Sequence, residues 1–321
     1  MSVVAGVDCG TNSIRLLICE VSADGTLREI TRENTIVRLG QGVDATGRLH
    51  PDAIARTREA LASYVERMAA EGVSAVRMVA TSATRDASNR DEFFSMTAEL
   101  LGRIQPGAVA EVISGEEEAA LSFAGATVDI DPARGPFCVI DLGGGSTEFI
   151  VGKNAREISG AFSTQMGCVR VTERIMVSDP AAPEEIHNAR LLIDEKITQA
   201  ASHVPLGEAA TLVGCAGTFT TLSALAQSLD AYDPEAIHMS EISFGRMRDT
   251  TATLVAHTAA QRKENPVMHP GRADVIGAGA VIVEQLMAAF EELSGGRIQS
   301  FIISEKDILD GIVAGLVKLR D

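Results

Sequence analysis

The chain has 321 residues, 45% of them hydrophobic, and its formal net charge at pH 7 is −16. This length is sufficient for two domains with separate cores, and the composition is typical of a globular α/β protein. The strong negative charge argues against broad nucleic-acid binding, and no apolar run is long enough to span a membrane, so neither a nucleic-acid partner nor a membrane partner is expected.

The N-terminal segment is predicted to form two strands joined by a glycine loop. Residues 3–8 and 13–21 are apolar and flank the sequence Asp8-Cys-Gly-Thr-Asn-Ser13. Residues 26–36 continue as a further strand.

The next segment alternates helix and strand. Residues 52–68 are predicted to form an amphipathic helix, because their apolar residues recur at helical spacing. A buried strand over 76–80 leads into Arg85, and a helix over 91–103 follows. A lone arginine is often an ordinary surface residue. Arg85, however, comes just past the end of a strand, where open α/β sheets bind ligands.

Three glutamates begin the helix that follows the predicted strand 109–113. Ser114 has the character of an N-cap, and acids in the first turn of a helix suit its dipole. This capping role explains Glu116 and Glu117, but it need not explain Glu118.

A second glycine motif follows a predicted domain boundary. Residues 129–136 are polar and carry two prolines and a glycine, so we place the boundary there. The sequence Ile140-Asp-Leu-Gly-Gly-Gly-Ser-Thr-Glu148 then lies between two apolar runs, which predicts two strands and a tight loop. Backbone N–H groups and hydroxyls of such a loop form an anion site; the candidate residues are Gly143, Gly144, Gly145, Ser146 and Thr147.

Asp141 and Glu148 flank these glycines, and two carboxylates beside a phosphate site typically hold Mg²⁺. The alternative is a glycine-rich hairpin with two surface acids. The Asp, Gly and Ser of this motif repeat those of the N-terminal loop at matching positions, far beyond the spacing of a solenoid repeat. We therefore expect two related domains with a ligand cleft between them.

The remaining chain is predominantly helical. A third glycine–hydroxyl loop, Gly214-Cys-Ala-Gly-Thr218, follows the strand 211–213 and opens a helix predicted over 220–229. A helix N-terminus after such a loop is a further anion site, although alone it is a weak signal. The other predicted elements are helices over 168–177, 183–204, 243–257, 274–290 and 307–319 and a strand over 297–303. The last helix is amphipathic and is expected to pack on the first domain.

The five cysteines form no C-x-x-C pair, and several lie within apolar runs. We therefore expect buried free thiols in a reducing cytoplasm and no zinc site. No basic segment followed by an apolar core begins the chain, so no signal peptide is expected.

The three loops and their order resemble the phosphate 1, phosphate 2 and adenosine loops of the actin and sugar-kinase superfamily. Together with Ala80-Thr-Ser-Ala-Thr-Arg85, Ile113-Ser-Gly-Glu-Glu-Glu118 and the weaker Arg272-Ala-Asp274, they resemble the exopolyphosphatase/guanosine pentaphosphate phosphohydrolase (Ppx/GppA) family. The resemblance implies an α/β fold of two actin-like (ribonuclease H-like) domains. The expected domains are 1–130 with the C-terminal helix 305–321, and 131–304.

The resemblance also implies roles for individual residues. Glu118 would be the catalytic glutamate, and Asp141 and Glu148 would hold Mg²⁺ or Mn²⁺. The phosphate-binding residues would be Asn12, Ser13, Arg85, Gly143, Gly144, Gly145, Ser146, Thr147, Gly217 and Thr218. Long family members carry further helical domains, so the shorter chain suggests action on short polyphosphates. A homodimer is expected only from the resemblance.

The resemblance leaves the substrate open. An exopolyphosphatase that releases orthophosphate from inorganic polyphosphate is the first hypothesis, and a guanosine pentaphosphate phosphohydrolase is the second. A small-molecule kinase and a non-catalytic polyphosphate or alarmone binder are less favoured, because a pure binder gains little from retaining Glu118, Asp141 and Glu148 together.

Overall fold

The structure, a computed structural model, describes residues 2–11, 13–23 and 25–318. The chain divides into two compact units, Met1–Gly125 with Ile308–Asp321, and Ala126–Asp307. These divisions lie a few residues from the boundaries expected from the sequence. No helix of the described residues is long and apolar enough to cross a membrane.

The first unit contains one sheet with helices on both of its faces. Its strands are β1 Ser2–Cys9, β2 Ser13–Val21, β3 Leu27–Ile36, β4 Val73–Ala80 and β5 Glu111–Val112. Its helices are α1 Val43–Thr46, α2 Pro51–Ala70, α3 Ser82–Asp86, α4 Arg90–Leu101 and α5 Gly115–Thr127, together with the final helix Ile308–Lys318.

The strand order in this sheet is β3-β2-β1-β4-β5. The strands β1, β2 and β3 are antiparallel neighbours, whereas β4 and β5 run parallel to β1. Parallel neighbours need a crossover, and α2 and α4 provide the two crossovers. The parallel strand predicted over 109–113 is shorter in the structure, because only two of its residues pair with β4.

Both faces of β1 are buried, which explains its continuous apolar sequence. Ala5 and Val7 lie in the cluster that contains residues of α2, whereas Val4 lies in the cluster that contains the C-terminal helix. Gly6 allows close packing of that helix, since a Cβ at this position would lie 2.8 Å from Val313 Cγ2. The C-terminal helix therefore belongs to the core of the first unit.

The second unit has a larger sheet. Its strands are β6 Phe137–Leu142, β7 Thr147–Gly152, β8 Ile158–Thr164, β9 Thr211–Cys215, β10 Glu241–Ser243 and β11 Ser300–Ile303. Its α-helices are α6 Cys168–Arg174, α7 Pro183–Ala201, α8 Ala216–Ala226, α9 Pro234–Ile237, α10 Phe244–Ala256, α11 Ala259–Lys263 and α12 Ile276–Leu293, which makes the C-terminal helix α13. Two short 3₁₀ helices cover Pro132–Arg134 and Leu206–Glu208.

The order of this sheet is β10-β11-β9-β6-β7-β8. The strands β6, β7 and β8 are antiparallel neighbours, and β9 and β11 run parallel to β6. With β6 in the place of β1, five strands repeat the arrangement of the first unit. The prediction of an α/β protein with two actin-like domains is thus confirmed.

All five cysteines are buried thiols, as predicted: Cys9, Cys19, Cys138, Cys168 and Cys215. Burial raises the pKa of the Cys9 and Cys138 thiols far above the usual value, and the charge of Asp8 adds to the effect at Cys9. These groups are therefore neutral side chains of the two cores.

Candidate functional site

The two glycine motifs form hairpins that are closed by the same hydrogen bond. In the first unit the Gly10 N–H donates to the Ser13 carbonyl oxygen at 3.0 Å, and in the second the Gly143 N–H donates to the Ser146 carbonyl oxygen at 3.0 Å. The repeat inferred from the sequence thus has equivalent backbone geometry in both units. Asn12, expected to bind phosphate, lies outside the described residues.

The two hairpins differ in the residue that faces their aspartate. Asp8 pairs across the strands with Arg15, whose Nε and Nη2 lie 3.0 and 2.7 Å from Asp8 Oδ2. Asp141 instead pairs with Glu148. The first aspartate is therefore neutralised by an arginine of its own hairpin, whereas the second faces another acid.

The Glu148 carboxylate is held in place by hydroxyl groups. Ser163 on β8 donates to Glu148 Oε1 at 2.7 Å, and the Ser146 hydroxyl bonds to the same carboxylate. Burial raises the pKa of Glu148, and these hydroxyl groups oppose that shift.

The facing carboxylates of Asp141 and Glu148 offer hard oxygen ligands of the kind that Mg²⁺ prefers. Within the described residues there is no group of three or more His, Cys, Asp or Glu side chains that could hold a metal. Two carboxylates nevertheless fit Mg²⁺, because this ion commonly takes its other ligands from water and substrate phosphates.

The first turn of α6 fixes the orientation of the glycine loop. The Cys168 N–H donates to the Gly143 carbonyl oxygen at 3.1 Å, and the Val169 N–H donates to the Gly144 carbonyl oxygen at 2.9 Å. The loop therefore turns its carbonyl groups towards α6.

The N–H groups of the loop point the other way, because the N–H and C=O of a trans peptide unit are directed oppositely. No group in the described part of the chain accepts a hydrogen bond from the N–H groups of Gly144, Gly145 and Ser146. Successive N–H groups with a common direction form an anion-binding concavity. We call these three groups the amide cradle.

A close backbone approach supports the cradle. A Cβ on Gly167 would lie 2.4 Å from the carbonyl carbon and oxygen of Gly144 and 2.5 Å from the nitrogen of Gly145. Only glycine permits this contact at position 167. The residue before α6 is therefore part of the architecture of the loop, which the sequence motif alone did not indicate.

The Thr147 side chain has a different environment from that of the cradle. Its hydroxyl is buried and donates to the Met166 carbonyl oxygen at 2.5 Å, and its own carbonyl oxygen accepts from the Thr164 hydroxyl at 3.0 Å. These hydrogen bonds connect Thr147, at the end of the loop, to the neighbouring strand β8 and to the residue Met166 that follows it.

The third loop differs from its prediction, because α8 begins at Ala216 rather than at Thr220. Gly217 and Thr218 therefore belong to the first turn of the helix. The Arg272 guanidinium lies over Gly217, where a Cβ would be 2.3 Å from Arg272 Cζ. Arg272 Nη1 donates to the Gly217 carbonyl oxygen at 3.2 Å and to Thr221 Oγ1 at 3.1 Å. This contact requires glycine at position 217.

The first unit brings Arg85 and Glu118 together. Arg85, in the short helix after β4, donates through Nη1 to the Ile113 carbonyl oxygen at 2.8 Å and to Glu118 Oε2 at 3.2 Å. Both side chains are about one-third exposed, at 34% and 29%. The pair is therefore anchored to the protein and open to solvent on one side.

Glu117 has a different environment from its neighbour. Its backbone N–H donates to Ser114 Oγ at 3.1 Å, and its carboxylate lies 2.5 Å from Nη2 of Arg77 on β4. The N-cap role expected for Ser114 accounts for this end of α5. The two adjacent glutamates thus make separate ion pairs.

The predicted site residues are distributed over both units. Ser13, Arg85 and Glu118 lie in the first unit, and the second contains Asp141, Gly143, Gly144, Gly145, Ser146, Thr147, Glu148, Gly217 and Thr218. Two residues of the site were not predicted from the sequence: Ser163, which bonds to Glu148, and Arg170, which bonds to the glycine loop. Each of these contacts joins separate segments of the chain. Arg272 carried only a weak signal, as part of a short motif.

Comparison with known proteins places these observations in a family. The model of the Ppx/GppA phosphatase family matches residues 17–318. Exopolyphosphatase 2 of Mycobacterium tuberculosis is 52% identical over 98% of this chain and 98% of its own length. The crystal structure of an exopolyphosphatase-like protein has a TM-score of 0.85 at 39% identity, covering 99% of this chain and 100% of that one.

A second solved structure, that of the Aquifex aeolicus Ppx/GppA family member, has a TM-score of 0.82 at 30% identity and covers 100% of this chain and 99% of its own. The fold therefore agrees with the sequence match along the whole chain. This protein belongs to the Ppx/GppA phosphatase family.

Proposed function

We propose that the protein is an exopolyphosphatase, which releases orthophosphate by hydrolysing the terminal phosphoanhydride bond of inorganic polyphosphate. The similarity to Exopolyphosphatase 2 supports this activity. The geometric observation that carries the proposal is the Arg85–Glu118 pair, in which a carboxylate oxygen and a guanidinium nitrogen lie 3.2 Å apart.

In the proposed mechanism, Glu118 accepts a hydrogen bond from water and orients it for attack on phosphorus. Arg85 Nη1 is already bonded to Ile113 and Glu118, and no acceptor among the described residues binds its Nε and Nη2. These N–H groups are available to donate to phosphate oxygens, as guanidinium groups commonly do. Arg85 would thereby place the phosphoryl group beside the oriented water.

The amide cradle supplies the remaining stabilisation that this chain itself provides. Its three N–H groups are fixed by the bonds between the loop and α6, so they would stabilise phosphate oxygens with little rearrangement. Asp141 and Glu148 would hold Mg²⁺, which neutralises negative charge on the substrate.

Phosphate release from defined substrates tests this function. Purified protein is supplied with polyphosphates of several lengths, with guanosine pentaphosphate and with ATP, each with and without Mg²⁺. We expect metal-dependent release of orthophosphate from polyphosphate without any added acceptor. Faster release from guanosine pentaphosphate would favour the alternative hydrolase, and release only with an acceptor would indicate a kinase.

From the family resemblance we further propose a cytoplasmic homodimer. Five buried thiols suit a reducing compartment. Light scattering of the full chain in solution would show a mass of twice 33.8 kDa; a monomer at all concentrations would contradict the dimer.

A further inference from the structure

Arg170 in the first turn of α6 is attached directly to the glycine loop. Its backbone N–H donates to the Gly144 carbonyl oxygen at 3.1 Å, and its Nε donates to the Gly145 carbonyl oxygen at 2.8 Å. Nη2 lies 3.7 Å from the position that a Cβ on Gly145 would occupy. The guanidinium is therefore held beside the loop residue whose N–H belongs to the amide cradle.

The charge of this guanidinium has no acidic partner among the described residues. Arg134, Arg190 and Arg248 of the second unit form ion pairs within 4.0 Å, whereas Arg170 is among the arginines of that unit for which no such pair occurs within the described residues. The net charge of the chain is −16, so most of its surface repels anions. An arginine without an acidic partner beside an anion site therefore indicates that an anionic ligand binds there.

The hydrogen-bonding capacity of Arg170 is only partly used. A guanidinium carries five N–H donors in a planar fork, and the described contacts use the one on Nε. The two Nη groups are left to bind an external acceptor. Their fork geometry suits two oxygens of one phosphate group.

Position determines which phosphate these groups would meet. The guanidinium is anchored to a carbonyl oxygen, on the side of the loop that faces α6, whereas the N–H groups of the cradle face away from α6. Since Nη2 lies 3.7 Å from the Cβ position of Gly145, we expect the guanidinium to meet an anion next to the cradle rather than one within it.

We propose that Arg170 is a specificity residue that binds the phosphate group adjacent to the one in the amide cradle, so that it favours phosphoanhydrides over orthophosphate. This assignment rests on the proposed function, since it requires a ligand with at least two linked phosphates. It concerns binding and makes no use of the attacking water or of Glu118.

Calorimetric titration of the full chain at one fixed Mg²⁺ concentration tests the assignment. The probes are orthophosphate and imidodiphosphate, whose P–N–P bridge resists hydrolysis. The variants are Arg170→Gln and Arg174→Gln, which remove the same charge from the same helix, the second of them at the C-terminal end of α6. Arg170→Lys tests whether a point charge without the planar fork suffices.

We expect Arg170→Gln to weaken imidodiphosphate binding by about tenfold, the effect of losing one charge-assisted hydrogen-bonding group. In Arg170→Gln the affinity for orthophosphate should change by less than about twofold. In Arg174→Gln the affinities for orthophosphate and for imidodiphosphate should both change by less than about twofold. Arg170→Lys should recover part of the loss.

Three results would overturn the assignment. Equal effects of Arg170→Gln and Arg174→Gln on imidodiphosphate would show that only overall charge matters. An equal loss of affinity for both probes in Arg170→Gln would show that Arg170 only stabilises the conformation of the loop. A wild-type chain without affinity for imidodiphosphate, in contrast, would also reject the proposed function.

Discussion

Arg85 and Glu118 form an ion pair in the first unit, with Nη1 3.2 Å from Oε2, and the same Nη1 is bonded to the backbone of Ile113. The pair joins the segments that follow two parallel strands, β4 and β5. The carboxyl ends of such strands are the usual ligand-binding edge of an open α/β sheet. A substrate phosphate that binds Arg85 would therefore lie beside the Glu118 carboxylate, which we propose orients the attacking water.

Removal of one carboxylate of the proposed metal site should change the metal requirement. Asp141→Asn keeps the size of the side chain but removes a charge opposite Glu148. We expect the Mg²⁺ concentration for half-maximal phosphate release to rise by about tenfold or more, since the remaining carboxylate holds the ion less tightly. A titration of activity against Mg²⁺ measures this.

The control for this experiment is Asp249→Asn, which makes the same charge change on the exposed surface of α10 in the same unit. It should leave the titration unchanged. Full activity of the wild type in excess chelator would contradict the metal assignment.

The contact between Gly167 and the loop predicts a sharp effect of a single methyl group. In Gly167→Ala the new Cβ would meet backbone atoms of Gly144 and Gly145 at 2.4 to 2.5 Å, so the loop must move. We expect a loss of about 1–3 kcal/mol in the free energy of unfolding, typical of overpacking. Substrate affinity should fall as well, because the amide cradle is displaced.

Gly245→Ala in α10 is the matched control, because nothing lies within 4 Å of the added Cβ. Chemical denaturation and steady-state kinetics of the two variants would be compared. If Gly167→Ala behaves like Gly245→Ala, the close approach does not support the loop.

The sequence predicted those parts of the site that depend on local chain geometry. A strand, a short glycine loop and a second strand must place Asp141 near Glu148, and the hairpin register does so. Without the family resemblance, the sequence could not separate Glu117 from Glu118, because their different partners, Arg77 and Arg85, come from distant segments.

Local sequence patterns also did not predict the first residue of α8 or the contact between Arg170 and the glycine loop. Gly217 favours a loop by its intrinsic propensity, but Arg272 packs over it and the helix begins one residue earlier. Arg170 meets the glycine loop only because α6 folds back against it. Tertiary contacts of this kind leave no periodic or compositional signal in the sequence.

Chain length should influence turnover. The protein is strongly acidic, so the part of a long polyphosphate outside the site is repelled rather than attracted. We expect catalytic efficiency per chain end to level off at short lengths, with intermediate lengths visible on a gel during the reaction. Added salt should reduce the discrimination against long chains, since it screens charge over about 10 Å at 0.1 M.

A control in which an uncharged osmolyte replaces the added salt at equal osmolality separates screening from changes in water activity. Long polyphosphate that disappears without intermediates would contradict this prediction, because it would require a surface that retains the chain between cleavages.

The most direct test of the account compares Glu118→Gln with Glu117→Gln, two isosteric changes at adjacent residues with the same change in charge. The measurement is the rate of orthophosphate release from polyphosphate at saturating substrate and Mg²⁺. We predict that Glu118→Gln lowers the rate by about 10²–10⁴-fold, the usual contribution of a general base, with substrate binding retained. Glu117→Gln should keep nearly the full rate, because it loses only an ion pair with Arg77 at the surface. Full activity of Glu118→Gln, with or without loss in Glu117→Gln, would contradict the assignment of Glu118.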